Sequence, residues 1–147
     1  MTENASDDDA LMKEKILKAL EYKTVAMVGL STERDRPSYR VAIYLLSKGY
    51  EVVPVRPDTD SILGKKAYPR LTDIPFPVDI VDVFRKPEHV VEVAREAVSV
   101  GAKVLWMQLG IENPEAQKIA EDAGLMVIAD RCMAHEYQLI EDAARGY

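Results

Sequence analysis

The chain has 147 residues, a single cysteine and a formal net charge of −6, from 19 lysines and arginines against 25 aspartates and glutamates. That is the length of one domain, enough to bury a core without cross-links, and the lone Cys132 excludes an internal disulfide and fits a reducing compartment. The acidic balance argues against general nucleic-acid binding, no apolar run reaches the roughly 18 residues of a membrane span, and the polar start is unlike a signal peptide, so a cytoplasmic protein is expected.

A frayed acidic start leads into an amphipathic helix at 9–22, where Leu11, Ile16, Leu17 and Leu20 recur near helical spacing. Apolar runs and helical patterns then alternate. Strands are expected at 25–30, 51–55, 80–84, 103–108 and 125–129, and helices at 39–48, 88–100, 114–123 and 133–144; Gly29, Gly49, Gly101 and Gly124 fall where an element stops. Residues 56–78, broken by Pro57, Gly64, Pro69, Pro75 and Pro77, predict an irregular connection with at most one helical turn at 71–74. No repeat or linker divides the chain, which reads as an N-terminal helix over 1–22 and one domain over 23–147.

Runs such as VAMV and VLWM are apolar on both strand faces, which marks strands buried on both sides. Their alternation with helices implies right-handed crossovers in a parallel sheet. The expected fold is α/β, a Rossmann-like doubly wound sheet of about five strands in the order 3-2-1-4-5, with the N-terminal helix as an addition. Such sheets bind ligands beyond the carboxyl ends of their strands, so the residues that follow each strand are the candidates.

After the first strand come Gly29, Leu30 and Ser31, then Arg34, Arg36, Ser38 and Arg40, with Pro37 opening a helix. Glycine admits a close approach, the serines offer hydroxyls, and a helix start with an arginine fork suits phosphate; an ordinary strand–helix turn with solvated arginines has the same composition. After the second strand stand Arg56 and Pro57, where an NAD site carries an acidic residue for the ribose; a cation there suits a phosphorylated ribose, or is a plain surface arginine. Val83, Phe84 and Arg85 follow the third strand and offer an apolar face for a base and a cation, although a phenylalanine ending a buried strand also suits the core. Gln108, Leu109 and Gly110 follow the fourth with an amide, an apolar contact and open backbone.

Cys132, after the fifth strand, lies beside Arg131 near a helix start, a setting that favours a thiolate and makes it a candidate redox thiol as against inert packing. His89 and His135 are too far apart to suggest a metal pair. No metal-ligand spacing, GxSxG elbow or Walker lysine is present, so neither a metal nor a catalytic residue is expected.

The segments VAMVGLS with RPSYRVAIYL, YEVVPVRP, ILGKKAYPRL, VDIVDVFRKPE, GAKVLWMQLGIEN and ADRCMAHE recur in order from about Lys23 to about Glu141. In them the chain resembles the stand-alone CoA-binding domain proteins of bacteria and archaea, relatives of the N-terminal domain of the succinyl-CoA synthetase alpha subunit. The resemblance implies a domain that binds coenzyme A, or an acyl-CoA, through its 3′-phospho-ADP half. It implies Gly29, Leu30, Ser31 and Arg40 at the diphosphate, Arg56 near the ribose phosphate, Val83, Phe84 and Arg85 beside adenine and ribose, and Gln108 with Leu109 near the pantetheine arm. The synthetase's phosphohistidine has no counterpart, since neither His89 nor His135 stands in a matching motif, so ligase activity is not implied. Two further readings stay open: an NADP-dependent oxidoreductase, for which Arg56 would meet the 2′-phosphate, and a subunit or interaction partner whose pocket is vestigial and whose acidic N-terminal helix is the docking surface; a homodimer is open in either case.

Overall fold

The computed structural model describes residues 2–146, with side chains from 7 to 146. Helix α1 (Thr2–Ala19) leads to β1 (Thr24–Val28), α2 (Pro37–Ser47) and β2 (Glu51–Val55). A small hairpin, β3 (Ser61–Ile62) and β4 (Lys65–Lys66), and a 3-10 turn (Leu71–Asp73) precede β5 (Ile80–Val83). A second 3-10 turn (Pro87–His89) opens α3 (Val90–Ser99), followed by β6 (Val104–Met107), α4 (Pro114–Asp122), β7 (Met126–Ile128) and α5 (Met133–Ala144).

Five strands pair in one parallel sheet, in the order β2-β1-β5-β6-β7. Successive side chains leave opposite faces of a strand, and both faces are apolar here. Val28, Val81, Val83, Leu105 and Met107 pack with α3 and α4, while Val25, Met27, Ile80, Trp106 and Ile128 pack with α1, α2 and α5. The chain winds outward from β1 to β2 and returns to β5 on the other side of β1, which leaves a crevice where the carboxyl ends of β1 and β5 part. This is the expected doubly wound fold. The strand expected third, β5, pairs with β1 on the side away from β2, and β6 and β7 follow it; outside β2 a single parallel bridge joins Val55 to Tyr68.

Two local expectations need correction. The helix α1 reaches back to Thr2 through the acidic stretch where a frayed start is expected, because residues 2–9 hold neither glycine nor proline to stop it. The irregular connection contains the β3–β4 hairpin, whose two-residue turn puts both Leu63 (φ 54°) and Gly64 (φ 72°) at positive φ. Leucine seldom takes that conformation, so nothing in the sequence flags the turn.

One polar residue sits at the centre of the sheet. Asp82 lies in β5 opposite Met27 and Trp106, has no exposure to solvent, and neither carboxylate oxygen finds a partner among the described residues. Burial pushes its carboxyl well above the usual carboxylate range, so the folded chain holds it protonated where the unfolded chain does not. A raised folded pKa adds stability that is complete below the unfolded value and is withdrawn at about 1.4 kcal/mol per pH unit as pH climbs towards the folded value. Asp82→Asn should therefore gain melting temperature relative to the parent as pH goes from about 5 to about 8, by roughly 2–4 °C for each kcal/mol withdrawn. A difference that stays constant across that range in thermal melts would mean that Asp82 does not titrate there.

Candidate functional site

Three strand ends meet at Gly29. Its N–H donates to the Val55 carbonyl at 3.0 Å, and the Phe84 N–H donates to the Val28 carbonyl at 2.8 Å, so the ladder runs on past β1 on both sides. Gly29 has φ +90°, and a Cβ placed there would lie 2.7 Å from the Phe84 carbonyl oxygen and 3.1 Å from Arg85 Cδ. No side chain fits that gap.

Beyond Gly29 the loop is tied to α2 through serines. The Ser31 N–H donates to the Ser38 hydroxyl oxygen at 3.0 Å, and the Glu33 N–H donates to the Ser31 hydroxyl oxygen at 3.0 Å. Ser38 is buried, and as its oxygen accepts, its own O–H remains to be given. Arg36 precedes Pro37 as the cap residue of α2, offers no side-chain cap, and pairs with Glu33 at 3.1 Å. The N-terminus of α2 thus faces the crevice without an internal anion at its cap.

Arg56, just past β2, crosses to this loop. Its Nη1 donates to the Leu30 carbonyl at 3.3 Å, while Nε and Nη2 fork onto the Asp58 carboxylate, the latter at 3.2 Å. That hydrogen-bonded pairing holds the Asp58 carboxyl below its usual value and raises the Arg56 guanidinium.

These pieces enclose a groove of ≈ 480 Å³ that runs from Ser31 and Arg36 over Gly29 to Lys86, Gln108 and Leu109. A compartment of ≈ 330 Å³ continues it past Phe84 and Arg85 to Arg56, Pro57 and Asp58. A third, of ≈ 270 Å³, shares Val55, Pro57 and Arg85 with the second and reaches α3. Arg36, Arg56, Arg85 and Lys86 give the trench four cations, met by Glu33 and Asp58. Gln108 is buried with its Oε1 unpartnered among the described residues.

Of the residues singled out in the sequence, Gly29, Ser31, Ser38, Arg56, Phe84, Arg85, Gln108 and Leu109 line the main groove, and Pro57 lines the second compartment. Leu30 and Val83 are buried behind it, Leu30 on the α2 side and Val83 on the α3 side of the sheet. Arg34 is exposed and outside the lining; Arg40 is also outside, with its Nη2 donating to the Asp35 carbonyl. The Gly110 N–H is taken by Asp130 Oδ1 at 2.7 Å. Cys132 is the cap residue of α5, half-buried against the layer that holds Trp106, and does not line the groove. Glu33 and Ile111 join the lining without a sequence signal of their own; Ile111 arrives because its N–H donates to the Gln108 carbonyl at 2.8 Å, folding the strand-end loop back.

Gly29 and Gly49 separate two costs, since Gly49 has φ +89° but nothing within 4 Å of where its Cβ would stand. Gly49→Ala should lose about 1 kcal/mol for its backbone conformation alone, and Gly29→Ala about 1–3 kcal/mol more, because a backbone carbonyl has to move. Thermal or urea unfolding checks this; equal losses would show that the Phe84 carbonyl gives way freely.

The model of the CoA binding domain family matches residues 23–138. The chain is 42% identical over 111 residues to the uncharacterized protein YneT of Bacillus subtilis, covering 76% of this chain and 82% of that one. It is 34% identical over 101 residues to the ADP-forming acetate–CoA ligase II of Archaeoglobus fulgidus, covering 67% of this chain but 15% of the ligase. Among solved structures, a hypothetical protein from Pyrococcus horikoshii OT3 superposes with a TM-score of 0.84 at 41% identity, over 86% of this chain and 90% of the other. Among the described residues, no helix is long and apolar enough to cross a membrane. With a family model that spans most of its length and a sheet wound to leave a cationic trench at the switch point, this chain belongs to the CoA-binding domain family.

Proposed function

We propose that this protein binds coenzyme A or an acyl-CoA through the 3′-phospho-ADP half, in the cytoplasm and without chemistry of its own. The observation that carries the reading is the continuous trench across the ends of β2, β1, β5 and β6, polar and cationic over Gly29 and apolar at Leu109. In this reading the diphosphate lies over Gly29 against Ser31 and the start of α2, where the Ser38 hydroxyl and Arg36 donate to it. Arg40 joins only by leaving the Asp35 carbonyl. The ribose phosphate takes Arg56 from Asp58, an exchange of one anion for another. Base and ribose lie by Phe84 and Arg85, and the arm runs past Gln108 and Leu109, with Gly110 supplying the turn.

The cation after β2 also favours a second reading, an NADP-dependent oxidoreductase, and the short span of the ligase that the chain matches favours a third, a subunit that docks on a partner or on itself. Titration calorimetry with CoA, NADP, NAD and ATP separates them. CoA is expected to bind most tightly; preference for NADP would transfer the site to the second reading, and no heat with any of the four would leave the third. Dephospho-CoA should bind the parent at least about tenfold more weakly than CoA, since a hydrogen bond to a charged group is worth about 1.5–3 kcal/mol, and Arg56→Ala should shrink that gap. Additive losses would place the 3′-phosphate away from Arg56.

The thiol is tested separately. If the arm reaches Cys132, its thiolate attacks one sulfur of CoA disulfide, a Cys132–CoA disulfide forms and one CoA thiol leaves. Intact-protein mass spectrometry should then show one CoA adduct, lost on reduction and absent in Cys132→Ser. An unmodified protein that still binds CoA would leave Cys132 as a packing residue.

A further inference from the structure

We propose that α1 is a dimerisation element: two copies of this chain pair antiparallel along it, crossing at Leu11 and Met12, with Asp8 of each copy against Lys15 of the other. None of these residues lines the trench, so the pairing does not depend on what the trench binds.

Only the second half of α1 rests on the domain. Ile16 and Ala19 are buried, whereas positions 7–11 are all exposed, so the acidic start of the helix stands clear of the fold. A helical stretch without tertiary packing is marginal in water, and it is ordered best by something laid along it. Asp8, Leu11, Lys15 and Lys18 recur at helical spacing on one side of α1. With Met12 and with Met126, from the start of β7, they line a groove of ≈ 450 Å³ in which Leu11 stands 58% exposed.

Charge along this stripe selects the occupant. It runs from acid at Asp8 through Leu11 and Met12 to Lys15 and Lys18, so its complement is the same stripe reversed end for end. Glu14 is met within the helix by Lys18 at 3.8 Å, while neither Asp8 nor Lys15 has an ion pair among the described residues. A twofold axis between Leu11 and Met12 sets each of these two opposite the other in the second copy and joins the apolar residues at the crossing. It also lays the exposed half of each helix along the anchored half of its mate. The helix dipole alone favours acids first and lysines last, but it gives no reason for an apolar residue to stand exposed between them.

The test is sedimentation velocity on the full chain at low salt, where surface ion pairs are least screened. A contact of one helix pair is small, so the parent should be mainly monomer at about 1 µM and part dimer at about 100 µM. Lys15→Glu should weaken the dimer at least about tenfold, since the twofold axis turns two attractions into two repulsions. Asp8→Lys should do the same, and the two changes together, which exchange the charges, should return it to within about threefold of the parent. Circular dichroism shows that each variant keeps its fold, and the two single changes probe the same pair from both sides. A parent that stays monomeric at about 500 µM, a dimer indifferent to the single changes, or one that the exchange fails to restore overturns the proposal.

Discussion

The contact between the Gly29 backbone and the Phe84 carbonyl is the constraint on which the carboxyl edge depends. Because β1 ends in a residue without a side chain, the first residue past β5 closes in on it, and Arg85 folds across the top instead of away from it. The crevice of a doubly wound sheet then becomes a trench with a backbone floor. Each functional element is arranged around this point: the serine-tied loop to α2, the guanidinium of Arg56 that spans to the Leu30 carbonyl, and the Gln108 turn on the far side of β5.

Arg36 holds Glu33, Arg56 holds Asp58 and Arg70 holds Glu96, whereas Arg85 and Lys86 make no ion pair among the described residues, so an anionic ligand meets two unpaired cations and displaces carboxylates from the others. Where a carboxylate is displaced, affinity is a difference between two sets of charge-assisted hydrogen bonds. On the opposite side of α2, Lys48 bonds both carboxylate oxygens of Glu141 at 2.8 Å and lies over the rings of Tyr44 and Tyr137, which fastens α5 to α2 and so steadies the helix whose start faces the ligand.

The sheet was legible in the sequence because its strands are unbroken apolar runs and its turns are marked by glycine. The site was legible to the extent that a doubly wound sheet presents whatever follows its strands. What failed to show was direction. Val83 and Phe84 are neighbours, yet strand alternation sends one into the α3 layer and the other to the groove. Arg40 and Arg36 differ by one helical turn, and only the one at the cap reaches the crevice. The β3–β4 hairpin and the Tyr68 bridge are too short to leave a pattern, and the Asp82 carboxyl in an apolar run contradicts the pattern it sits in.

The two margins of the sheet are finished differently. Outside β2, the Tyr68 N–H donates to the Pro54 carbonyl and the Arg56 N–H to the Tyr68 carbonyl, and the β3–β4 hairpin packs alongside. At the other margin β7 has no outer strand among the described residues, and α1 lies against it, with Ile16, Ala19 and Leu20 buried in the same apolar layer as Ile128. Losing α1 would uncover that layer beside a row of unpaired backbone groups, the template on which extended chains add and aggregate. The N-terminal helix therefore protects the fold from its own edge, a role independent of any ligand.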